Sequence, residues 1–141
     1  QLNYLDWDLL NARRQYEILM EHQIPVWVME PLRGGRLASL SEEDTKKLQA
    51  LRPAESVPGW AFRFLQTLPS VTMILSGMSD FQQLQDNIQT FQTEEPLNEQ
   101  EQKTLFDIAY HMANGVPCTA CHYCTSTAHR ACPSGAPCSV Q

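Results

Sequence analysis

Short apolar runs alternate with segments of helical periodicity, and this alternation occurs three times within residues 1–91. The first unit begins with Gln1–Asp6, the second with the run from Ile24 to Met29, and the third with Val71–Leu75. The second run is continuously apolar and rich in strand formers, which is typical of a strand buried on both faces of a parallel sheet. Three strand–helix units in succession predict an α/β fold with right-handed crossovers.

Capping residues and apolar stripes predict the helices. Ser41 and Asp44 predict the start of a short helix, with Leu40 as its hydrophobic staple. A longer helix follows Ser56, and Pro58 is compatible with its first turn. The inward residues are predicted to be Leu9, Ala12, Tyr16, Leu19 and Met20 in the first unit, Val57, Trp60, Ala61, Phe64, Leu65 and Leu68 in the second, and Leu84, Ile88 and Phe91 in the third.

The chain is predicted to have three parts: residues 1–95, 96–115 and 116–141. Pro96 interrupts the pattern, and a last helix is expected from Asn98 to about Ala113. Its inward face should carry Leu105, Ile108, Ala109 and Met112. The last part has no periodicity and contains all five cysteines.

Charge and hydropathy exclude several classes of function. Ten basic residues against sixteen acidic ones give a net charge of −6, which argues against a nucleic-acid surface. No signal pattern and no apolar run of membrane-spanning length is present, so we expect a soluble, cytoplasmic protein. The sequence begins at Gln1 without an initiator Met, and we therefore expect a processed chain or a fragment.

Two loops after predicted strands suit a ligand. Ser76-Gly77-Met78-Ser79 precedes a helix, whose free N–H groups favour an anion, and Ser79 has capping-box spacing to Gln82. Pro31-Leu32-Arg33-Gly34-Gly35 offers bare backbone and one cation. In α/β proteins ligands bind at the carboxyl ends of strands, where both loops lie. The alternative is that the glycines only make turns and the serine only caps a helix.

The ordered set Gln1-Leu2-Asn3-Tyr4, Pro31-Leu32 with Gly34, Ile74 to Ser79, Gln83-Leu84 and Asp86-Asn87 resembles the aldo/keto reductase family. The resemblance covers roughly residues 1–91. It implies that they are the last three strand–helix units of a TIM-type (β/α)8 barrel, followed by a helix and a cysteine-rich metal-binding tail. It also implies an oxidoreductase that moves hydride between NAD(P) and a small carbonyl or alcohol substrate. No G-x-G-x-x-G is present, so a Rossmann fold has little support.

The resemblance also implies roles for individual residues. Gln1 matches the glutamine that binds the nicotinamide carboxamide, whereas Met29 stands where many relatives carry a stacking aromatic. Gln83 stands where some relatives carry an arginine for the 2′-phosphate of NADP. The remaining matches are Leu32 and Gly34 beside the pyrophosphate, Gly77, Met78 and Ser79 at the adenosine phosphate, and Asp86 and Asn87 at the adenine.

Two further points bear on these roles. Gln83 and Asn87 are four residues apart and share a helix face, although a solvated polar face is the alternative. No position matches the catalytic tyrosine, lysine, aspartate or histidine of the family. This chain alone is therefore not expected to reduce a carbonyl.

The cysteines have metal-ligand spacing. Cys118-x2-Cys121-x2-Cys124 predicts three ligands of a [4Fe–4S] cluster, and Cys132, followed by Pro133, is the candidate fourth. Some aldo/keto reductase relatives carry a terminal ferredoxin-like segment with the same lead-in, which implies a structural or electron-transferring cluster and a possible electron-transfer partner. Zinc, bound by Cys118, Cys121, His129 and Cys132, is the alternative, as is a tail of free thiols. A zinc-binding or partner-docking module without enzyme activity is thus the alternative function.

The spacing after Cys124 suggests a frameshift after Ser126. Seven residues separate Cys124 from Cys132, whereas the ferredoxin pattern has three before its Cys-Pro. One nucleotide restored before Thr127 permits the translation His-Cys-Pro-Gln-Gly-Leu-Pro-Ile. That reading completes C-x2-C-x2-C-x3-C-P, and it makes Cys132 and Cys138 accidental thiols.

Overall fold

The computed structural model describes residues 1–113, which form a mixed α/β structure that is mostly helical. The elements are α1 Asp6–Leu9, α2 Ala12–Glu21, β1 Val26–Met29, a 3-10 turn Arg36–Ala38, α3 Glu42–Leu51, α4 Val57–Gln66, β2 Val71–Leu75, α5 Phe81–Gln92 and α6 Glu99–Ala113. No helix among these is both long and apolar enough to cross a membrane. The predicted cluster ligands Cys118, Cys121, Cys124 and Cys132, and the proposed frameshift after Ser126, lie outside the described residues.

The sheet confirms the predicted parallel pairing of the second and third apolar runs. β1 and β2 lie side by side and parallel, with Val28 opposite Ile74 and Met29 opposite Leu75. The chain between them contains α3 and α4, so the two strands are joined by a helical crossover. Residues 1–113 contain these two strands and no closed barrel.

The strand predicted at Gln1–Asp6 is wrong, because the chain turns at Tyr4 and enters α1. Asn3 explains the turn. Its Oδ1 accepts a hydrogen bond from the Asp6 N–H (2.9 Å), and its Nδ2 donates to Asp6 Oδ2 (2.9 Å). A short polar side chain that bonds nearby backbone favours a turn over a strand. Only Leu2 reaches β1, where its N–H donates to the Met29 carbonyl (3.2 Å).

The two faces of β1 differ, so the predicted burial on both faces is wrong. Val26 and Val28 are buried in the core, whereas Trp27 and Met29 are 65% and 59% exposed. The strand also begins at Val26, after Pro25, and not at Ile24. Pro25 has no N–H to donate to a neighbouring strand. The described helices therefore cover one face of the sheet and leave the other open.

The core confirms the predicted stripes of α4 and α6. Trp60, Phe64 and Leu65 of α4 are almost completely buried, as are Leu105 and Ile108 of α6. The predicted cap at Ser41 is also confirmed, because its hydroxyl accepts from the Asp44 N–H (3.1 Å). The helix predicted after Ser56 is capped in the same way, by a hydrogen bond from the Gly59 N–H to the Ser56 hydroxyl (3.0 Å). In the first unit Ala12 and Tyr16 are buried, whereas Leu9 and Met20 are exposed. Leu9 belongs to α1, which a turn separates from α2, so the five predicted residues do not lie on one helix.

The inward stripe predicted for α5 is wrong. Leu84, Ile88 and Phe91 are 37%, 50% and 44% exposed, although the Phe91 ring contacts that of Phe62 in α4 (centroids 5.2 Å apart). The predicted cap is displaced by one residue as well. Asp80, in extended conformation, accepts from the Gln83 N–H (2.8 Å) and takes the position that Ser79 was expected to occupy.

Candidate functional site

A cleft of about 390 Å³ opens at the carboxyl ends of β1 and β2. The loops that follow the two strands form two of its walls, and Pro58 at the start of α4 and one side of α5 close it further. Its lining consists of Glu30, Pro31, Leu32, Gly34, Gly35, Ala38, Pro58, Leu75, Ser76, Gly77, Ser79, Gln83, Asp86 and Asn87. The carboxyl end of a parallel sheet is where ligands bind in α/β proteins.

Seven of the nine residues predicted to bind the cofactor line this cleft. They are Leu32, Gly34, Gly77, Ser79, Gln83, Asp86 and Asn87. Met78 lines an adjacent apolar groove, together with Met29, Leu84 and Ile88. Gln1 is exposed and belongs to neither lining, although its neighbour Leu2 is bonded to the end of β1.

The loop after β1 has an unusual backbone. Glu30, Arg33, Gly34 and Gly35 have φ angles of 59°, 48°, 63° and 87°, all in the left-handed region. For Glu30 and Arg33 this conformation costs free energy, which other contacts must offset. The contacts come from the start of the chain: Asn3 Nδ2 donates to the Glu30 carbonyl (3.0 Å), and Arg33 Nε lies 2.9 Å from Asp6 Oδ1.

The Asp6–Arg33 ion pair is a contact behind the candidate site that sequence reasoning missed. The side chain of Asp6 is 1% exposed and that of Arg33 is 11% exposed. Neither residue belongs to the cleft lining. The ion pair therefore fixes the loop from the side that faces away from the cleft. The available signal was local: Asn3 and Asp6 have the spacing of a capping side chain and its N–H partner.

Side-chain hydrogen bonds order the opposite wall. Gln83 Oε1 accepts from the Ser79 N–H (2.8 Å), and Asn87 Nδ2 donates to the Ser76 hydroxyl (3.4 Å). The loop after β2 is thus tied to α5 at two positions. Gln83 and Asn87 face the same cleft, as their spacing of four residues requires.

Asp86 connects this wall to α4. Its Oδ2 accepts a hydrogen bond from the Ser56 hydroxyl (2.7 Å), which at the same time accepts from the Gly59 N–H. One serine therefore caps α4 and positions a carboxylate of the cleft. Asp86 Oδ1 accepts no hydrogen bond from the described residues and is available to a ligand.

The chemistry of the lining suits a polar, hydroxyl-bearing ligand. Two carboxylates, two amides and two serine hydroxyls line the cleft beside bare glycine backbone. Such groups bond to sugar hydroxyls and to the edges of a base. Tyr4 is not part of this set: burial, with a smaller effect of Asp44, raises the pKa of its phenol well above the ordinary value. Tyr4 is therefore a neutral core residue packed on Phe64.

Residues 1–113 contain no group of three or more His, Cys, Asp or Glu side chains that could hold a metal ion. The predicted metal site on Cys118, Cys121, Cys124 and Cys132 lies beyond this range and stays a prediction.

Comparisons of the chain with protein-family models, with curated proteins and with solved structures found no match.

Proposed function

We propose that this chain is the cofactor-binding part of an NAD(P)-dependent oxidoreductase of the aldo/keto reductase type, acting in the cytoplasm on a small carbonyl or alcohol. The observation that carries the proposal is the convergence of two loops, about 45 residues apart in sequence, on one cleft at the carboxyl ends of parallel strands. Seven of the nine residues that the family resemblance selects for the cofactor line this cleft.

The donor set fits the cofactor. Gly34 and Gly77 leave room for a pyrophosphate to approach the backbone, since a side-chain Cβ at either position would lie in largely open space. Asn87 and Asp86 offer an amide and a carboxylate oxygen to the amino group of an adenine. The bound nicotinamide would supply hydride transfer, and the residues of this chain hold and orient it.

The open face of the sheet supports the barrel. Trp27 and Met29 of β1 lie opposite Met73 and Leu75 of β2, and all four side chains are exposed. Apolar residues at alternate positions on this face are what the interior of a (β/α)8 barrel requires. The proposal therefore places further strands, with the catalytic residues, outside this chain.

The cysteine segment completes the proposal as a [4Fe–4S] site formed by Cys118, Cys121 and Cys124, with Cys132 as a substitute fourth ligand. Anaerobic reconstitution should produce the broad visible absorbance of thiolate-bound iron. Zinc uptake without that absorbance would favour the zinc-binding module.

Sequencing the DNA after the Ser126 codon tests the frameshift, since a missing base should be found there.

The cofactor site is tested by a charge placed in the cleft. Ser79→Glu adds a carboxylate to the lining, and we expect it to weaken NADH binding by about 1–3 kcal/mol at low salt, measured by calorimetry. Gln82→Glu is the matched control, because it adds the same charge three residues further on, in the first turn of α5 and outside the lining. Equal NADH affinity of Ser79→Glu and the unchanged chain would remove Ser79 from the site.

A further inference from the structure

A second cavity, of about 420 Å³, lies between α5 and the segment that leads into α4. It shares only Asp86 with the lining of the cleft described above. Its volume falls in the range of small-molecule pockets, about 300–1,000 Å³, and is far larger than the roughly 30 Å³ that one water molecule occupies. The cavity is therefore large enough for an organic ligand.

Two buried side chains of this second cavity have hydrogen-bonding groups without a partner in residues 1–113. Thr90 is 3% exposed, and its hydroxyl forms no hydrogen bond within this range. The Arg63 side chain is 5% exposed, and its Nε pairs with Glu55 Oε2 (2.9 Å). Its Nη1 donates to Gln66 Oε1 (3.2 Å) and to the Thr93 carbonyl (2.6 Å), which leaves Nη2 unused. Because buried polar groups are nearly always hydrogen-bonded, the Thr90 hydroxyl and Arg63 Nη2 indicate an acceptor inside the cavity.

The charges of the lining restrict what that acceptor can belong to. Arg63 is already paired, and Arg52 donates to both oxygens of Glu101 (2.6 and 2.7 Å). Asp86, by contrast, forms no salt bridge with the described chain, and the Glu95 carboxylate lies 4.0 Å from Arg52. A purely anionic ligand would meet this uncompensated negative charge, whereas a purely cationic one would leave the buried donors without an acceptor. A ligand with both charges satisfies both requirements.

We propose that the second cavity binds a small zwitterion, an α-amino acid. Its carboxylate accepts from the Thr90 hydroxyl and from Arg63 Nη2, and its ammonium group donates to Asp86 Oδ1. Asp86 and Thr90 are four residues apart in α5, so their Cβ atoms lie about 5–6 Å apart on one helix face. The amino and carboxylate groups of an α-amino acid are attached to one carbon, and a single molecule therefore reaches both positions. This site is additional to the proposed function and does not depend on it.

The test compares three probes of similar size by ligand-observed NMR titration of the full chain. Because Asp86 also lines the first cleft, the titrations are made without a nicotinamide cofactor. L-alanine carries both charges, L-alaninamide lacks the carboxylate, and propionate lacks the ammonium group. We expect L-alanine to bind about tenfold more tightly than either of the others, the effect of one charge-assisted hydrogen bond.

Thr90→Val tests the carboxylate contact, because it removes the hydroxyl with little change of shape. It should weaken L-alanine binding by about three- to tenfold and leave the melting temperature unchanged or higher, since the hydroxyl has no partner within the described range. Thr104→Val on α6 is the matched control. The Thr104 hydroxyl donates to the Gln100 carbonyl (3.0 Å) outside the cavity, so this variant should bind L-alanine as the unchanged chain does. Asp86→Asn should weaken the binding of L-alanine but not that of propionate.

Four results would overturn the proposal. If L-alanine does not bind at millimolar concentration, the cavity holds water only. If propionate or L-alaninamide binds as tightly as L-alanine, the site does not recognise a zwitterion. An equal loss of L-alanine binding in Thr90→Val and Thr104→Val would remove the Thr90 hydroxyl from the site. A lower melting temperature of Thr90→Val with unchanged L-alanine binding would show that the hydroxyl serves the fold.

Discussion

Asp6 acts on the cleft from a distance, because it holds Arg33 in the left-handed backbone of the loop after β1. Removal of its charge by Asp6→Asn leaves the largely buried guanidinium of Arg33 without its ion-pair partner. We expect a loss of about 3–5 kcal/mol in the free energy of unfolding, as for other broken buried pairs. Urea unfolding followed by circular dichroism measures it.

The control for this substitution is Asp8→Asn, two residues along. Asp8 pairs with Arg13 at 3.1 Å, but both side chains are at least half exposed. Exposed pairs contribute about 0–1 kcal/mol, so this variant should unfold close to the unchanged chain. Equal destabilisation of the two variants would show that the Asp6–Arg33 pair contributes no more to the free energy of unfolding than the exposed Asp8–Arg13 pair.

Residue-scale features were predictable where they are local. The caps at Ser41 and Ser56 follow from sequence spacing, because the bonded N–H lies three residues ahead. The contact of Asp6 with Arg33 spans 27 residues and depends on how the loop folds back. At α5 two adjacent residues, Ser79 and Asp80, could both cap, and spacing alone does not choose between them.

At the scale of the elements, Ser56 connects two helices, whereas the Ser41 hydroxyl bonds only within the first turn of α3, where it also donates to Asp44 Oδ2 (2.7 Å). Both serines cap a helix, but Ser56 also donates to Asp86 (2.7 Å) and so ties α4 to α5. We expect Ser56→Ala and Ser41→Ala each to cost about 1 kcal/mol of stability. Only Ser56→Ala should also weaken NADH binding, measured by titration. Unaltered binding in Ser56→Ala would show that Asp86 needs no fixed position.

The attachment of α6 should depend on pH. Arg52 of the α3 end donates to both oxygens of Glu101 (2.6 and 2.7 Å), and these hydrogen bonds hold the pKa of Glu101 below its ordinary value of 4.5. The folded state thus favours the carboxylate. Its stabilising contribution is complete above about pH 4.5 and is lost as the pH falls through the lower folded pKa.

Glu101→Gln tests this dependence. The variant should be less stable at pH 7 by about 1–3 kcal/mol, and its stability should fall less steeply below pH 4.5. Thermal unfolding across pH 2–7 measures both effects. Glu99→Gln, an exposed change in the same helical turn, is the control. Parallel pH profiles of stability for Glu101→Gln and the unchanged chain would show that the ionisation of Glu101 does not cause this pH dependence.

Helices α4 and α6 were predictable because their apolar residues recur with helical periodicity, which is visible in the sequence, although α4 also buries Phe62 and Arg63 outside the predicted stripe. The segment Gln1–Asp6 was not, since its apolar residues fit a strand while Asn3 and Asp6 close a turn. The hydrophobic pattern of this segment favours a strand, whereas the hydrogen bonds of the Asn3 side chain favour a turn, and the turn is what forms.

For the whole molecule, the open sheet face has consequences in solution. Trp27, Met29, Met73 and Leu75 form an exposed apolar patch next to the equally exposed side of α5. Exposed apolar patches and free strand edges promote association. We expect the chain to self-associate when expressed alone, and analytical ultracentrifugation should show it. A monodisperse monomer would argue against the fragment interpretation.

Two substitutions locate the association surface. Trp27→Lys should shift the chain toward monomer, because it places a charge in the middle of the patch. Tyr110→Lys on α6 is matched in exposure, 68% against 65%, and should leave association unchanged. Equal effects would mean that general surface hydrophobicity, and not this face, drives association.

The parallel pairing and the crossover were predictable at this scale, whereas the coverage of the sheet was not. The run from Val26 to Met29 is apolar at every position, which indicates two faces that avoid water but not what covers them. The cleft could also be predicted only in part from the sequence. Resemblance selected residues such as Gly34 and Ser79, but only the folded chain brings their loops together.

The exposed Trp27 also gives the protein a built-in optical reporter. Trp7 and Trp60 are 7% and 1% exposed, so their indoles stay in apolar surroundings whatever happens to the sheet. Trp27, at 65% exposed, emits from water, and its fluorescence will move to shorter wavelength once another surface covers it. The colour of tryptophan emission therefore records the state of one face of the sheet.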